Sequence, residues 1–204
     1  MAGGTKRLPR AVREQQMLDA AVKVFSANGF REASMDAIAA EADISKPMLY
    51  LYYGSKDELF GACVQREGAR FFEALQPGFS PSLKQRDQAR TVIMGFLQFV
   101  DANREAWRVL YRVATGQAAF ATLAAATRRQ MIDMVAGLIR RGTTTPHTDA
   151  EYELMAIALV GAGEAVADRI SEGDISIDAA TEMMTSLIWR GLSGDRRDRA
   201  DHES

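Results

Sequence analysis

The sequence predicts an all-α protein of about nine helices, and three observations lead to that fold class. Apolar residues recur at three- and four-residue spacing along almost the whole chain, which is the spacing of one helix face. Sustained alternation of apolar and polar residues, the usual signal of paired strands, is not found. The 204 residues are 47% apolar, which is enough to build a large core without disulfide bonds. We therefore expect helical domains throughout.

The first two helices contain no glycine or proline, and each is bounded by recognisable end signals. The first is expected over residues 10–27, where Gly29 ends it and Phe30 packs back against it. The second is expected over residues 35–42, after Ser34 as its N-terminal cap.

Two further cap signals place the third and fourth helices. Ser45 is expected to cap a short third helix that carries Pro47 in its first turn and stops before Gly54. Ser55 and Glu58 form an S-x-x-E capping box at the start of a long fourth helix.

Five more helices are expected after the loop of residues 76–82, which contains two prolines and a glycine. Periodicity places them at residues 86–102, 104–115, 117–141, 148–171 and 177–192. The final residues, 194–204, are polar and charged, and we expect them to be disordered.

Composition excludes several functional classes. The single cysteine, Cys63, cannot form an internal disulfide, so we expect a reducing compartment and a buried, unreactive thiol. Two histidines, His147 and His202, leave no zinc constellation, and we expect no metal and no cofactor. The longest apolar run is interrupted by Glu164 and is shorter than the roughly 20 residues that span a bilayer. The N-terminus has no apolar core of a secretory signal, so the sequence predicts a soluble, cytoplasmic protein.

Charge is unevenly distributed although the formal net charge is only −2. The first 13 residues contain Lys6, Arg7, Arg10 and Arg13 and no acid. Residues 1–56 carry a formal charge of +2 and the remainder −4. On charge alone, a solvated tail and a DNA-contacting arm are equally good interpretations of this N-terminal segment.

The second and third helices have the pattern of a helix-turn-helix. Ala39 is small where the helices cross, Asp43 lies in the turn, and Ile44 and Leu49 face the shared core. In this motif the second helix enters the major groove of DNA.

Residues 34–59 resemble the DNA-binding domain of the TetR family of bacterial transcriptional regulators. The residues that carry the resemblance are Asn28-Gly29-Phe30, Ile38-Ala39, Ile44-Ser45-Lys46, Leu49-Tyr50, Tyr52-Tyr53 and Ser55-Lys56. Asp43 departs from the pattern because the family usually has glycine there. Since Asp tolerates a left-handed backbone, we expect a small loss of stability and the same fold.

The resemblance implies four regions. They are a basic arm at residues 1–13, a helix-turn-helix domain at 14–56, a ligand-binding and dimerisation domain at 57–193 and the tail at 194–204.

The resemblance also implies a set of DNA contacts, for which helix caps and exposed cations are suitable residue types. Lys46 would reach a guanine or a phosphate, and the arm would follow the minor groove or the phosphates. Packing in the core is the competing interpretation for the tyrosines and is favoured for Tyr53. The residues expected to contact DNA are Lys6, Arg7, Arg10, Ser34, Ser45, Lys46, Pro47, Met48, Tyr50, Tyr52 and Lys56.

The C-terminal region is expected, from the same resemblance, to bind a small effector and to form a homodimer. Aromatic and methionine residues would surround the effector, although each taken alone also suits a core. The residues proposed for the pocket are Phe96, Phe99, Trp107, Arg108, Tyr111, Met131 and Met134. The residues proposed for the two-fold interface are Gly161, Gly163, Met184, Leu187 and Ile188. Glu164 would pair with Arg169 or Arg190 or face solvent.

The function that follows is a ligand-responsive transcriptional regulator and not an enzyme. A repressor is expected, bound as a homodimer to a palindromic operator and released by a small, largely apolar effector. A helical enzyme or carrier is the competing class, but the chain has no catalytic triad, phosphate-binding glycine loop or metal cluster. A nucleoid-type DNA binder without an effector is the third possibility.

Overall fold

A computed structural model describes residues 9–143, 145–173 and 175–193, and all regular structure in these residues is helical. Lys6, Arg7, His202 and the tail at 194–204 lie outside the described residues. The described helices are α1 (Arg10–Glu32), α2 (Met35–Glu41), α3 (Lys46–Tyr52), α4 (Lys56–Leu75), α5 (Gln85–Ala102), α6 (Arg104–Arg108), α7 (Ala118–Gly142), α8 (Asp149–Glu172) and α9 (Ile177–Ser193). The all-α prediction is confirmed.

The chain divides into two compact units. The first contains the described residues up to Ala69 together with Glu105–Ala125, and the second contains Arg70–Arg104 and the residues from Ala126 onward. Helices α4 and α7 contribute residues to both units.

Helix α1 is longer than the sequence predicts but breaks at the expected glycine. Gly29 has φ 73° and ψ 174°, a conformation open essentially to glycine alone. One further turn follows and ends at Glu32. The kink lets Phe30 turn back toward α1, as predicted.

Four phenylalanine rings form the centre of the first unit. The Phe30 ring lies 6.0 Å from Phe25, 5.1 Å from Phe60 and 5.4 Å from Phe120, measured between centroids. The contacts with Phe60 and Phe120 are edge-to-face and the contact with Phe25 is stacked, and both kinds of contact add to the free energy gained by burying the rings. Cys63 is fully buried in the same unit, and burial raises the pKa of its thiol to about 12.

The turn between α2 and α3 has the left-handed residue that the sequence predicts. Asp43 has φ 51°, and within the described part of the chain no other non-glycine residue has a positive φ. The N–H of Ile44 donates to the carbonyl of Ala39 at 3.0 Å, which closes the turn.

The predicted helix at residues 104–115 is replaced by two elements. Helix α6 covers only five residues, and a π-helical turn follows at Val109–Val113. Across that turn the Trp107 and Tyr111 rings stack with centroids 3.7 Å apart, and both belong to the first unit. Apolar periodicity did not predict this change, because a single π-helical turn is too short to be recognised from the spacing of apolar residues.

In the second unit, Glu164 finds a partner that the sequence analysis did not consider. Arg128 of α7 binds it with both branches of its guanidinium, Nε to Oε1 at 2.9 Å and Nη2 to Oε2 at 3.3 Å. Glu164 thus pairs with Arg128, which was not among the expected partners Arg169 and Arg190, and its side chain remains 22% exposed. A bidentate pair of this kind fixes the orientation of both side chains.

Helix α9 contains one buried polar atom that lacks a hydrogen bond. The hydroxyl of Thr181 is buried without a partner among the described residues, whereas the hydroxyl of Thr185 donates to the carbonyl of Thr181 at 2.7 Å. A buried unsatisfied polar group costs about 1–3 kcal/mol.

Replacing Thr181 by Val should therefore raise the free energy of unfolding by about 1 kcal/mol, since the isosteric side chain removes only the unsatisfied hydroxyl. Thr185→Val is the matched control and should lower it, because that hydroxyl makes a bond. Chemical denaturation of the two variants measures both changes. Equal destabilisation by both substitutions would contradict the assignment.

Candidate DNA interface and effector cavity

One side of α3 is open to solvent and the other is anchored in the core. Leu49 is fully buried, whereas Lys46, Pro47 and Tyr50 are exposed. Leu51 is 82% exposed and was not among the predicted contacts. Helical spacing from Pro47 would have placed it on this face, so the signal was present in the sequence.

The two predicted cap serines both bind the first turns of their own helices. Ser34 Oγ accepts from the N–H of Ala37 at 3.1 Å, and Ser45 Oγ accepts from the N–H of Met48 at 3.4 Å. A hydroxyl that accepts in this way keeps its proton for another acceptor, such as a phosphate oxygen.

Lys46 is held by an acid of the preceding helix. Its Nζ lies 2.8 Å from Oδ2 of Asp36, in the first turn of α2. The hydrogen bond that Lys46 donates to Asp36, together with the charge of that carboxylate, raises the pKa of Lys46. The leading cation of α3 is therefore paired on the protein surface.

Arg10 is also engaged within the protein. Its Nε binds Oε1 of Glu14 at 3.0 Å, and its guanidinium lies 5.4 Å from the centroid of the Tyr52 ring. Tyr52 is half-buried beneath it. Met48 is half-buried as well, with Nη1 of Arg13 3.2 Å from its sulfur. Tyr53 was expected to lie in the core but is only half-buried, and this partial burial raises the pKa of its hydroxyl.

The ammonium of Lys56 is bound by backbone carbonyls of the protein. Its ammonium donates to the carbonyls of Phe30, Arg31 and Ala33 at 2.9, 3.2 and 3.0 Å. It also lies 4.7 Å from the centroid of the Phe30 ring. All three of its N–H bonds are therefore directed at the link between α1 and α2, and the structure does not leave this group free for a phosphate.

A cavity of about 1050 Å³ lies within the second unit. This volume is at the upper end of typical small-molecule sites, which run from about 300 to 1,000 Å³. Three of the residues predicted for the pocket line it, namely Phe96, Met131 and Met134. Among the lining residues that the structure describes, Arg190 is the one charged side chain.

The other predicted pocket residues lie elsewhere. Phe99 packs against Phe71, 5.4 Å between ring centroids. Trp107, Arg108 and Tyr111 belong to the first unit, where Nη1 of Arg108 lies 3.5 Å from the hydroxyl of Ser26. Sequence spacing could not separate these positions, because aromatic residues suit a core and a cavity equally well.

Three of the five residues predicted for the dimer interface line the cavity, and two do not. Gly163, Met184 and Ile188 line the cavity, and a Cβ atom built on Gly163 would lie 3.4 Å from the ring of Phe96. Leu187 is 65% exposed, and Gly161 meets only open space. Leu154, Ile157 and Met183 are further exposed apolar side chains on the same two helices.

The described part of the chain contains neither a membrane-spanning helix nor a cluster of metal ligands. No helix there has the length and apolar character to cross a membrane. No group of three or more His, Cys, Asp or Glu side chains there could hold a metal ion.

Comparison with known proteins identifies the family. Residues 17–63 match the model of the bacterial regulatory proteins of the tetR family, and residues 85–191 match the tetracyclin repressor-like C-terminal domain. The chain belongs to the TetR family. It is therefore a DNA-binding transcriptional regulator of that family, and its relatives are regulators rather than enzymes.

Three relatives show how far the similarity extends. The solved structure of a TetR-like transcriptional regulator from Rhodococcus sp. RHA1 is 59% identical, covers 92% of this chain and all of its own, and has a TM-score of 0.82. The transcriptional activator FasR of Mycolicibacterium smegmatis is 29% identical over 94% of this chain and 90% of its own length. The transcriptional repressor SCO4008 of Streptomyces coelicolor is 39% identical over 61 residues, which is 30% of this chain and 31% of its own length.

Replacing Lys56 by Met should lower the free energy of unfolding by about 1–3 kcal/mol, because three carbonyl oxygens lose a charged donor. Lys23→Met is the matched control. Its ammonium makes one exposed ion pair, with Glu41 at 2.6 Å, so its loss should change the free energy of unfolding much less. Thermal or urea unfolding of both variants measures the difference, and equal stability of the two would refute the structural role of Lys56.

Proposed function

We propose that this TetR-family protein is an effector-responsive repressor that binds a palindromic operator as a homodimer and releases it when a small, largely apolar effector binds. The apolar cavity within the second unit is the observation that carries the proposal. It supplies a site for the effector, while the exposed face of α3 supplies a surface for the operator.

The DNA contact is assigned to the exposed side of α3. Lys46 and Tyr50 provide donors for base edges or phosphates, and Pro47 and Leu51 provide apolar surface for thymine methyl groups. Ser34 and Ser45 add hydroxyl donors at the adjacent helix starts. The arm residues Lys6 and Arg7 and the paired Arg10 are assigned to the phosphates or the minor groove.

The homodimer is assigned to the outward face of α8 and α9. Leu154, Ile157 and Gly161 follow one another at helical spacing on α8, and Met183 and Leu187 do the same on α9. Contiguous apolar surface on a soluble chain usually marks an interface. A two-fold arrangement would present two copies of α3 to successive major grooves.

The effector is assigned to the cavity lined by Phe96, Met131 and Met134. Its lining is apolar apart from a few groups that include Gln85, Thr145 and Arg190. Effector and operator are coupled if each binds preferentially to a different conformation of the dimer. The effector then lowers operator affinity by the ratio of its own affinities for the two conformations.

Repression is proposed as the direction of regulation. Two relatives have opposite directions in their names, activator for FasR and repressor for SCO4008. The direction depends on where the operator lies relative to the promoter, so a reporter gene behind the chain's own upstream DNA tests it. Reporter expression should fall when the protein is supplied and recover when the effector is added.

Leu187→Glu should convert the dimer to a monomer, because it buries a charge in the proposed apolar interface. Operator affinity should then fall about 100-fold or more, since the two DNA-binding units no longer act together. Sedimentation and gel-shift assays measure the two effects. Ile175→Glu, also at an exposed apolar side chain but outside α8 and α9, is the control that should remain dimeric.

Ala89→Trp should fill the cavity, because Ala89 lines it and the indole occupies space open to a ligand. The dye 1-anilinonaphthalene-8-sulfonate is a suitable probe for the native cavity, and its fluorescence should rise with the wild type and fall about tenfold or more with the variant. Ala126→Trp, at an exposed position of α7, should leave the signal unchanged. Equal dye binding by all three proteins would disprove the cavity as a ligand site.

A further inference from the structure

The acid that holds Lys46 lies on the same surface as the helix that reads DNA. Asp36 and Lys46 are 69% and 46% exposed in their side chains, and their charged atoms are 2.8 Å apart. An exposed ion pair of this kind adds little to stability. The carboxylate also opposes the approach of phosphates, so its place beside the leading cation of α3 needs a reason other than folding or general attraction to DNA.

The two atoms form a donor and an acceptor that match one base-pair edge. In the major groove, a C·G pair presents the N4 amino donor of cytosine beside the O6 acceptor of guanine. These two atoms are hydrogen-bonded to each other, so they lie about 2.9 Å apart. The Asp36 Oδ2 and Lys46 Nζ atoms have the opposite polarity at nearly the same separation.

Both side chains can make the base contact without leaving each other. An ammonium has three N–H donors and a carboxylate has about four lone-pair directions, so one bond between them leaves the rest available. The second amino hydrogen of cytosine N4 and the second lone pair of guanine O6 both point into the groove. Four partners can therefore close a ring of hydrogen bonds.

We propose that Asp36 and Lys46 act as one unit that reads a C·G base pair in each operator half-site, with Asp36 accepting from cytosine N4 and Lys46 donating to guanine O6. Asp36 is thereby a specificity-determining residue and not a source of affinity. The inference rests on the operator binding proposed above and adds the identity of one base pair to it.

A T·A pair at the same position does not match Asp36 and Lys46, because its donor and acceptor are exchanged. Thymine O4 is an acceptor where cytosine has a donor, and adenine N6 is a donor where guanine has an acceptor. Asp36 would then face an acceptor and Lys46 a donor. Both hydrogen bonds are lost together. In their place, an acceptor faces an acceptor and a donor faces a donor.

The test is selection of binding sites from a random double-stranded DNA library by the full-length wild type, Asp36→Ala, Asp36→Asn and Lys46→Ala. The wild type should enrich a sequence with one C·G pair per half-site, whose replacement by T·A lowers affinity about tenfold. Asp36→Ala and Lys46→Ala should both lose that preference, to within about twofold, and at the same position. Asp36→Asn should weaken it, since the amide offers a donor as well as an acceptor.

Glu41→Gln is the matched control. It removes one negative charge from the last residue of the same helix α2 and breaks an ion pair of similar length, that of Lys23. Its selected sequence should equal that of the wild type. Circular dichroism of each variant confirms that the helices are retained, and the base preference of the folded fraction is the deciding measurement.

Three results would overturn the inference. If Asp36→Ala binds every sequence more tightly by the same factor and its salt dependence steepens by about one charge, Asp36 only repels phosphates. If Asp36→Ala and Lys46→Ala relax different positions, the two residues do not read one pair. If the wild type enriches no sequence at all, the operator binding proposed for the protein fails together with the inference. The first two results overturn only the inference and leave the proposed operator binding intact.

Discussion

The packing of Phe30 against three other rings is the interaction on which the DNA-binding unit depends. Gly29 alone can adopt the backbone conformation that turns Phe30 toward Phe25, Phe60 and Phe120. Once Phe30 is in place, the carbonyls of the link between α1 and α2 converge on the ammonium of Lys56. One kink thus determines how α4 holds the start of the helix-turn-helix, and the position of α3 follows.

Three cations in the described part of this unit have partners within the protein. Lys46 is paired with Asp36, Arg10 with Glu14, and Lys56 with backbone carbonyls. The formal charge of +2 over residues 1–56 already includes the acids of these pairs, so the general attraction to phosphates is small. Such a surface favours recognition of base edges by two DNA-binding units of a dimer acting together. It does not favour tight non-specific binding.

Helices α8 and α9 line the cavity and also carry the exposed apolar side chains assigned to the proposed dimer interface. Gly163, Met184 and Ile188 face the cavity, while Gly161 and Leu187 face outward. Gly161 and Gly163 are two residues apart and lie on different sides of α8, whereas Leu187 of α9 lies next to the cavity-lining side of its helix. The pair between Arg128 and Glu164 fastens α7 to α8 beside this cavity and keeps a carboxylate paired in an apolar stretch.

The sequence by itself determined the all-α class, most helix ends, the left-handed turn residue and the family, because caps, glycines and helical periodicity act over a few neighbouring residues. It also identified the solvent-exposed face of α3, with the exception of Leu51. It could not separate pocket from core among Phe96, Phe99 and Trp107, because the local sequence pattern of an aromatic residue is the same in a core as beside a cavity. Nor could it find the partners of Glu164, Lys56 and Lys46, which come from 36, 26 and 10 residues away. Only the tertiary structure decided these, because ion pairs and cavities depend on which distant side chains the packed helices bring within hydrogen-bonding distance.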